Sequence, residues 1–132
     1  MVIDTSALVA ILVQEKDALR YSEAIQSAST KVLSAASFVE LTLVIVSNYG
    51  PGANAEIDLL LIESKIEVVP VTEHHARLAR DGFVRYGKGR HPAGLNFGDC
   101  FAYALAKSRN EPLLFVGDDF GHTDVRPELD PS

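Results

Sequence analysis

Hydrophobic positions in this chain alternate between short solid runs, which read as buried strands, and stretches with helical spacing. Residues 1–4 form the first solid run, and residues 6–14 and 17–28 read as helices. A second strand is expected at 31–34 (KVLS), followed by a helix over 37–48 that Gly50-Pro51-Gly52 stops. A helix over 54–64 leads to a strand at 66–71 (IEVVPV), near a sheet edge because Pro70 has no N–H to give to a ladder. Thr72 fits the N-cap of a helix over 72–86. A loop, GKGRHPAGL, spans 87–95, and a helix over 97–109 and a strand at 113–116 (LLFV) complete the order. No repeat or low-complexity tract interrupts it. Strands alternating with helices predict one α/β domain over 1–132 with a mostly parallel sheet, whose ligands bind beyond the carboxyl ends of the strands.

That edge is where the carboxylates gather. Asp4 sits at the end of the first strand, between two apolar elements, although an ion leaving water loses much of its solvation unless something replaces it. Asp118 and Asp119 follow the last strand, so they open on the same side. Glu40 falls three residues after Ser37, and Asp99 three after Asn96. Both are capping-box spacings, and for each residue alone a helix cap is the simpler reading. Position changes the odds. The helix carrying Glu40 follows KVLS after a short turn, so its N-terminus faces the same edge. The first turn of the helix carrying Asp99 reaches that edge only if the helix packs back across the sheet.

If the four positions converge, like charges so close need a cation to stay ionised together. Oxygen-only ligands suit Mg²⁺ or Mn²⁺, which orient water and offset charge on a phosphodiester. Thr5 and Ser6 are candidates to hold Asp4 or a phosphate oxygen, with a helix-cap role as the bland alternative.

Composition narrows the partners. Apolar residues make up 47% and charged residues 23%, an ordinary globular balance. No run approaches the roughly 18 apolar residues of a membrane span, and the start MVIDTS lacks a basic n-region, so neither a membrane anchor nor a secretory signal is expected. Cys100 stands alone, which excludes an internal disulfide and fits the cytoplasm. A net charge of −6 argues against bulk attraction to nucleic acid. Yet five of the twelve basic residues (Arg77, Arg80, Arg85, Lys88, Arg90) lie between 77 and 90, and six acids follow from Glu111 onward. Solvated surface is the plain reading of any one of them. Together they suggest a basic strip near an acidic site, a pattern that suits a polyanion and a cation, with Arg85, Lys88 and Arg90, which lead into the helix of Asp99, as the candidate polyanion contacts. Arg77 and Arg80 share a face further back.

Four segments carry a family resemblance: VIDTSAL, SAASFVEL with Glu40, LNFGDCFAYALAK with Asp99, and LLFVGDDF with Asp118. In order and spacing the chain resembles a PIN-domain ribonuclease, and within that group the toxin member of VapBC toxin–antitoxin pairs. The resemblance implies a three-layer α/β/α sandwich, an acidic metal site and metal-dependent cleavage of RNA. Carried across residue by residue, Asp4 and Asp99 are the main metal ligands and Glu40 is a further ligand or a water-orienting base. Asp118 is the fourth acid, with Asp119 beside it as the alternative. The resemblance also implies a homodimer and a tight complex with a VapB-type antitoxin. The apolar stretches 7–13 and 41–46 are richer than one core face needs and are candidate surface for that partner.

Two rival readings remain at this level. A haloacid-dehalogenase-like phosphohydrolase also opens with a strand-end Asp, but wants a second acid where this chain has Ser6. A non-catalytic interaction module would use the carboxylates only as caps. Cys100, one turn into an apolar helix, reads as a small buried hydrophobe. The four histidines (His74, His75, His91, His122) lack paired ligand spacing for zinc.

Overall fold

The computed structural model describes residues 1–130, and the last two residues of the domain expected over 1–132 lie outside the described residues. Strand β1 (Val2–Ile3) leads to helices α1 (Thr5–Leu12) and α2 (Ala18–Ser27), and β2 (Val32–Ser34) to α3 (Ala35–Tyr49). A 3₁₀ turn (Pro51–Ala53), α4 (Asn54–Glu63), β3 (Glu67–Val69) and α5 (Glu73–Tyr86) follow. Helix α6 (Phe97–Arg109), β4 (Leu113–Leu114) and a second 3₁₀ turn (Asp119–His122) close the order.

All four strands are parallel, in the order β3-β2-β1-β4. Side chains alternate across a strand, so consecutive apolar residues feed opposite faces. Ile3, Leu33 and Leu114 point into one buried cluster with Leu8, Leu41, Ile45 and Ile57 from α1, α3 and α4. Val2, Val32 and Leu113 point into a second cluster with Ala79, Tyr103 and Leu105 from α5 and α6. The result is the α/β/α sandwich, with β1, β2 and β4 buried on both sides and the edge strand β3 largely exposed. Each fully buried aliphatic side chain contributes roughly 1.5–3 kcal/mol, so the short solid runs of the sequence hold the layers together.

Strand β3 is an edge strand, as Pro70 just beyond it requires. The other edge is covered: Leu113 N donates to Arg126 O at 2.9 Å and Glu128 N to Leu113 O at 2.9 Å. Among the described residues, no helix is long and apolar enough to cross a membrane.

Two local expectations are corrected. Helix α3 begins at Ala35, two residues early, because Ser34 both ends β2 and caps the helix by accepting from Ala36 N at 3.2 Å. Ser37 therefore sits inside the first turn, buried, and the Ser37–Glu40 capping box does not form. The apolar excess of 7–13 goes largely into the core, since Ala7, Leu8 and Ala10 are fully buried. In 41–46 only Leu43 and Val44 remain exposed, joined on the surface by Leu19, Leu59 and Ile62.

Candidate active site

The carboxyl edge of the sheet opens into a cavity of about 260 Å³ lined by Asp4, Thr5, Ser6, Val9, Glu15, Glu40, Val44, Asp99 and Val116. Three of the four acids expected from the sequence thus meet in one place. Each arrives from a different element.

Asp4 leaves β1 and caps α1. Its Oδ2 accepts from Ser6 N at 3.0 Å and from Ser6 Oγ at 2.6 Å. Ser6 Oγ in turn accepts from Val116 N at 3.0 Å, which ties the ends of β1 and β4 together through one hydroxyl. Thr5 Oγ1 donates to Ser37 O at 3.0 Å and joins the start of α1 to that of α3. Both residues are thus spent on holding the edge. Asp4 itself is only 3% exposed, and its Oδ1 has no hydrogen-bond partner among the described residues. A buried carboxylate oxygen left bare is expensive unless a proton or a cation claims it.

The electrostatics agree. Burial, opposed by the Ser6 hydrogen bonds and reinforced by the charges of Asp99 and Glu40, raises the Asp4 carboxyl to about 7. Asp99 is also raised, first by burial and then, against its hydrogen bond from Asn96, by Glu40 and Asp119. These groups repel one another's negative charge across the cavity.

Asp99 fills two roles at once. Its Oδ2 accepts from Asn96 N at 3.0 Å while Asn96 Oδ1 accepts from Asp99 N at 2.9 Å, a complete capping box at the start of α6. The cap and the cavity position coexist because α6 packs across the sheet against α3. Glu40, free of any cap, lies in the second turn of α3 with its carboxylate against Gly98, where a Cβ would overlap it. The closeness of these two helices at Gly98 is what brings Glu40 beside Asp99.

The pair Asp118 and Asp119 is divided. Asp119 contributes charge to Asp99, whereas Asp118 lines a separate cavity with Arg20, Tyr21 and His122. The family resemblance puts Asp118 first as the fourth acid, but it lines this second cavity and not the acidic one. Glu15, on the loop after α1, also lines the acidic cavity, a position the sequence does not signal. Nothing in its local context distinguishes it from a solvated loop acid.

The basic strip is partly committed within the fold. Arg77 pairs with Glu73 at 2.9 Å. Arg85 pairs with Asp124 at 3.5 Å and donates to Tyr86 Oη at 2.9 Å. Lys88 and Arg90 are exposed and, among the described residues, in no ion pair. Their loop is pinned at its ends, with Lys88 N donating to Leu95 O and Leu95 N to Tyr86 O, both at 2.9 Å. Cys100 is buried, and burial together with Asp99 pushes its thiol up to about 11, so it is no nucleophile at neutral pH. His75 is used in the cap of α5, and His91 Nδ1 accepts from Ala93 N at 3.0 Å.

Among the described residues, no three acidic, histidine or cysteine side chains stand close enough to enclose an ion without adjustment. The donor chemistry nevertheless fits a hard divalent cation. The charged groups lining the cavity are all carboxylates, one of their oxygens is orphaned, and the charges of Asp4 and Asp99 are mutually destabilising.

A three-layer α/β/α sandwich with an acidic cleft at the carboxyl edge of a parallel sheet defines a class, and the family model for the PIN domain matches residues 1–126. The chain belongs to the PIN domain family. It is 50% identical over 131 residues to both VapC ribonuclease Mb0625 of Mycobacterium bovis and ribonuclease VapC28 of Mycobacterium tuberculosis, covering 98% of each chain. Ribonuclease VapC of Mycolicibacterium smegmatis is 50% identical over 125 residues, 95% of this chain and 97% of that one. In fold it is similar to Mycobacterium tuberculosis VapC20, described as a Sarcin-Ricin loop cleaving toxin. There the TM-score is 0.72 at 17% identity over 96% of this chain and 98% of that one. Membership in this family sets aside the dehalogenase-like reading.

Proposed function

We propose that this chain is a ribonuclease toxin of the VapC kind, hydrolysing phosphodiester bonds of RNA with the help of Mg²⁺ or Mn²⁺. The observation that carries the proposal is Asp4: a buried carboxylate with one bare oxygen, sharing a cavity with Glu40 and Asp99. A structural cap has no need of that arrangement, whereas a cation site does. The names and identity of the VapC relatives support the reaction and the substrate class.

Asp4 and Asp99 would hold the cation, with Glu40 and Asp119 beside them. A divalent ion there supplies a Lewis acid that lowers the pKa of a water and offsets charge growing on the phosphodiester. The chain does the rest. Ser6 fixes Oδ2 of Asp4 and leaves Oδ1 unclaimed, so the ligand is aimed before any ion arrives. A Glu40 carboxylate oxygen accepts a proton from the attacking water, since no cap occupies it. Val9 and Val44 form the apolar side of the cavity. Lys88 and Arg90 grip the RNA backbone.

A VapB-type antitoxin covering the acidic cavity, a homodimer and action in the cytoplasm complete the proposal. The exposed Leu43 and Val44 give the antitoxin an apolar foothold, because Val44 also lines the cavity.

The test is cleavage of RNA by the purified chain with Mg²⁺ or Mn²⁺, with chelator, and after Asp4→Asn. Asparagine keeps the volume and the capping oxygen but removes the charge, so cleavage should fall at least about a hundredfold with the fold intact. Cleavage by Asp4→Asn at the wild-type rate, or in chelator, would mean that the acids are only caps. Co-expression with the antitoxin should give a complex without ribonuclease activity.

A further inference from the structure

We infer that the second cavity, next to the acidic one, is a nucleobase subsite. This rests on the ribonuclease reading and deepens it by naming the part of the RNA that the protein reads. The cavity has about 520 Å³ of room, against about 260 Å³ for its neighbour. Tyr21 and Phe115 form aromatic walls, and Arg20, Asp118 and His122 bring polar groups to the same space. Both rings are held still: Tyr21 is buried in α2, and Phe115 packs on the buried Phe120 with centroids 5.3 Å apart. Tyr21 is the buried back wall, and the partly exposed, fixed ring of Phe115 is the kind of surface an unpaired base stacks on.

The two cavities meet along one stretch of chain. Val116 lines the acidic cavity, and its neighbours Phe115, Gly117 and Asp118 line this one. Gly117 turns the chain at φ +96°, and a Cβ there would meet nothing within 4 Å, so bare backbone borders the second cavity.

Charge decides between base and phosphate. Asp118 repels a phosphate, and the Arg20 guanidinium is partly engaged, donating to the Asp130 carbonyl at 2.7 Å. A neutral base suffers no such repulsion. A carboxylate accepts from an exocyclic amino group, and a guanidinium donates to a ring or carbonyl acceptor. Together they suit a base edge that shows a donor beside an acceptor, as all four bases do, uracil through N3–H beside O4.

The experiment uses the full chain carrying Asp4→Asn and short single-stranded RNAs in which 2-aminopurine replaces one nucleotide at a time. The expected result is fluorescence quenching at one position, adjacent to the bond that the wild-type chain cuts. Binding at that position should weaken about tenfold in both Phe115→Leu and Arg20→Ala. Arg20→Ala alters an exposed-side group and keeps the test alive if Phe115→Leu fails to fold. Quenching untouched by either substitution overturns the subsite. Loss of antitoxin binding in place of RNA binding overturns it in favour of a protein contact. A wild-type chain that cleaves no RNA with either ion sinks the ribonuclease reading and this inference with it. RNA cleavage by the wild-type chain, with binding and quenching untouched by Phe115→Leu and Arg20→Ala, sinks this inference alone.

Discussion

The Glu40 carboxylate lies against the α-carbon of Gly98, in space that any side chain at position 98 would fill. Helices α3 and α6 meet there, and the missing side chain lets a carboxylate of one reach the first turn of the other. Gly98→Ala tests that relationship. Alanine favours a helix over glycine by up to about 1 kcal/mol, and the flexible end of Glu40 can move aside. The variant should therefore melt at or above the wild-type temperature while RNA cleavage drops toward that of Glu40→Gln. Full activity in Gly98→Ala would show that Glu40 is not used where it stands.

Glu40 and Asp99 should separate in stability although both matter for cleavage. Asp99 completes a capping box, so Asp99→Ala should cost about 0.5–2 kcal/mol of stability in addition to activity. Glu40 caps nothing, because Ser34 caps α3, and Glu40→Ala should be inactive yet close to wild type in denaturant titrations. Equal destabilisation by both would contradict the observed helix start.

Asp4 predicts an inverted pH dependence. Its carboxyl is raised to about 7 by burial and by Asp99 and Glu40, so the folded chain keeps a proton that the unfolded chain loses near pH 4. Without a cation, stability is therefore highest below about pH 4 as far as this group is concerned, and falls as pH rises through 7. The whole effect is roughly 4 kcal/mol at most. Mn²⁺ takes the place of that proton, so it should raise Tm more at pH 8 than at pH 5. Asp4→Asn should flatten the pH profile and lose most of the Mn²⁺ shift. An unchanged Mn²⁺ shift in that variant would remove Asp4 from the ligand set.

Lys88 and Arg90 are the exposed members of the basic strip outside any ion pair among the described residues, apart from Arg80 on α5. Lys88→Ala with Arg90→Ala should weaken RNA binding and flatten its log–log salt slope by about 0.7 for each phosphate no longer neutralised, with Mn²⁺ affinity nearly unchanged. Arg85→Ala should instead loosen the Asp124 ion pair and show mainly as reduced stability. A salt slope unaltered by the double substitution would place the RNA path elsewhere.

The solid runs VI, VL and LL and the helical spacings between them determined the layers, because alternation along a strand and a 3.6-residue period are local geometry. They also determined that Asp4 stands at the carboxyl edge and that Pro70 follows an edge strand. Spacing alone misplaced the start of α3: S-x-x-E matched at Ser37 and Glu40, but Ser34 could leave β2 and cap the helix without any intervening turn. The meeting of Glu40 with Asp99 was decided by the packing of α6 on α3 at Gly98, a contact between segments 58 residues apart. Asp118 lines the second cavity while Asp119 stands near enough for its charge to act on Asp99, and Asp124 drew Arg85 out of the free basic surface. Such choices depend on how one element rotates and docks on another, and that rotation is set by side chains far away in sequence, which no local period records.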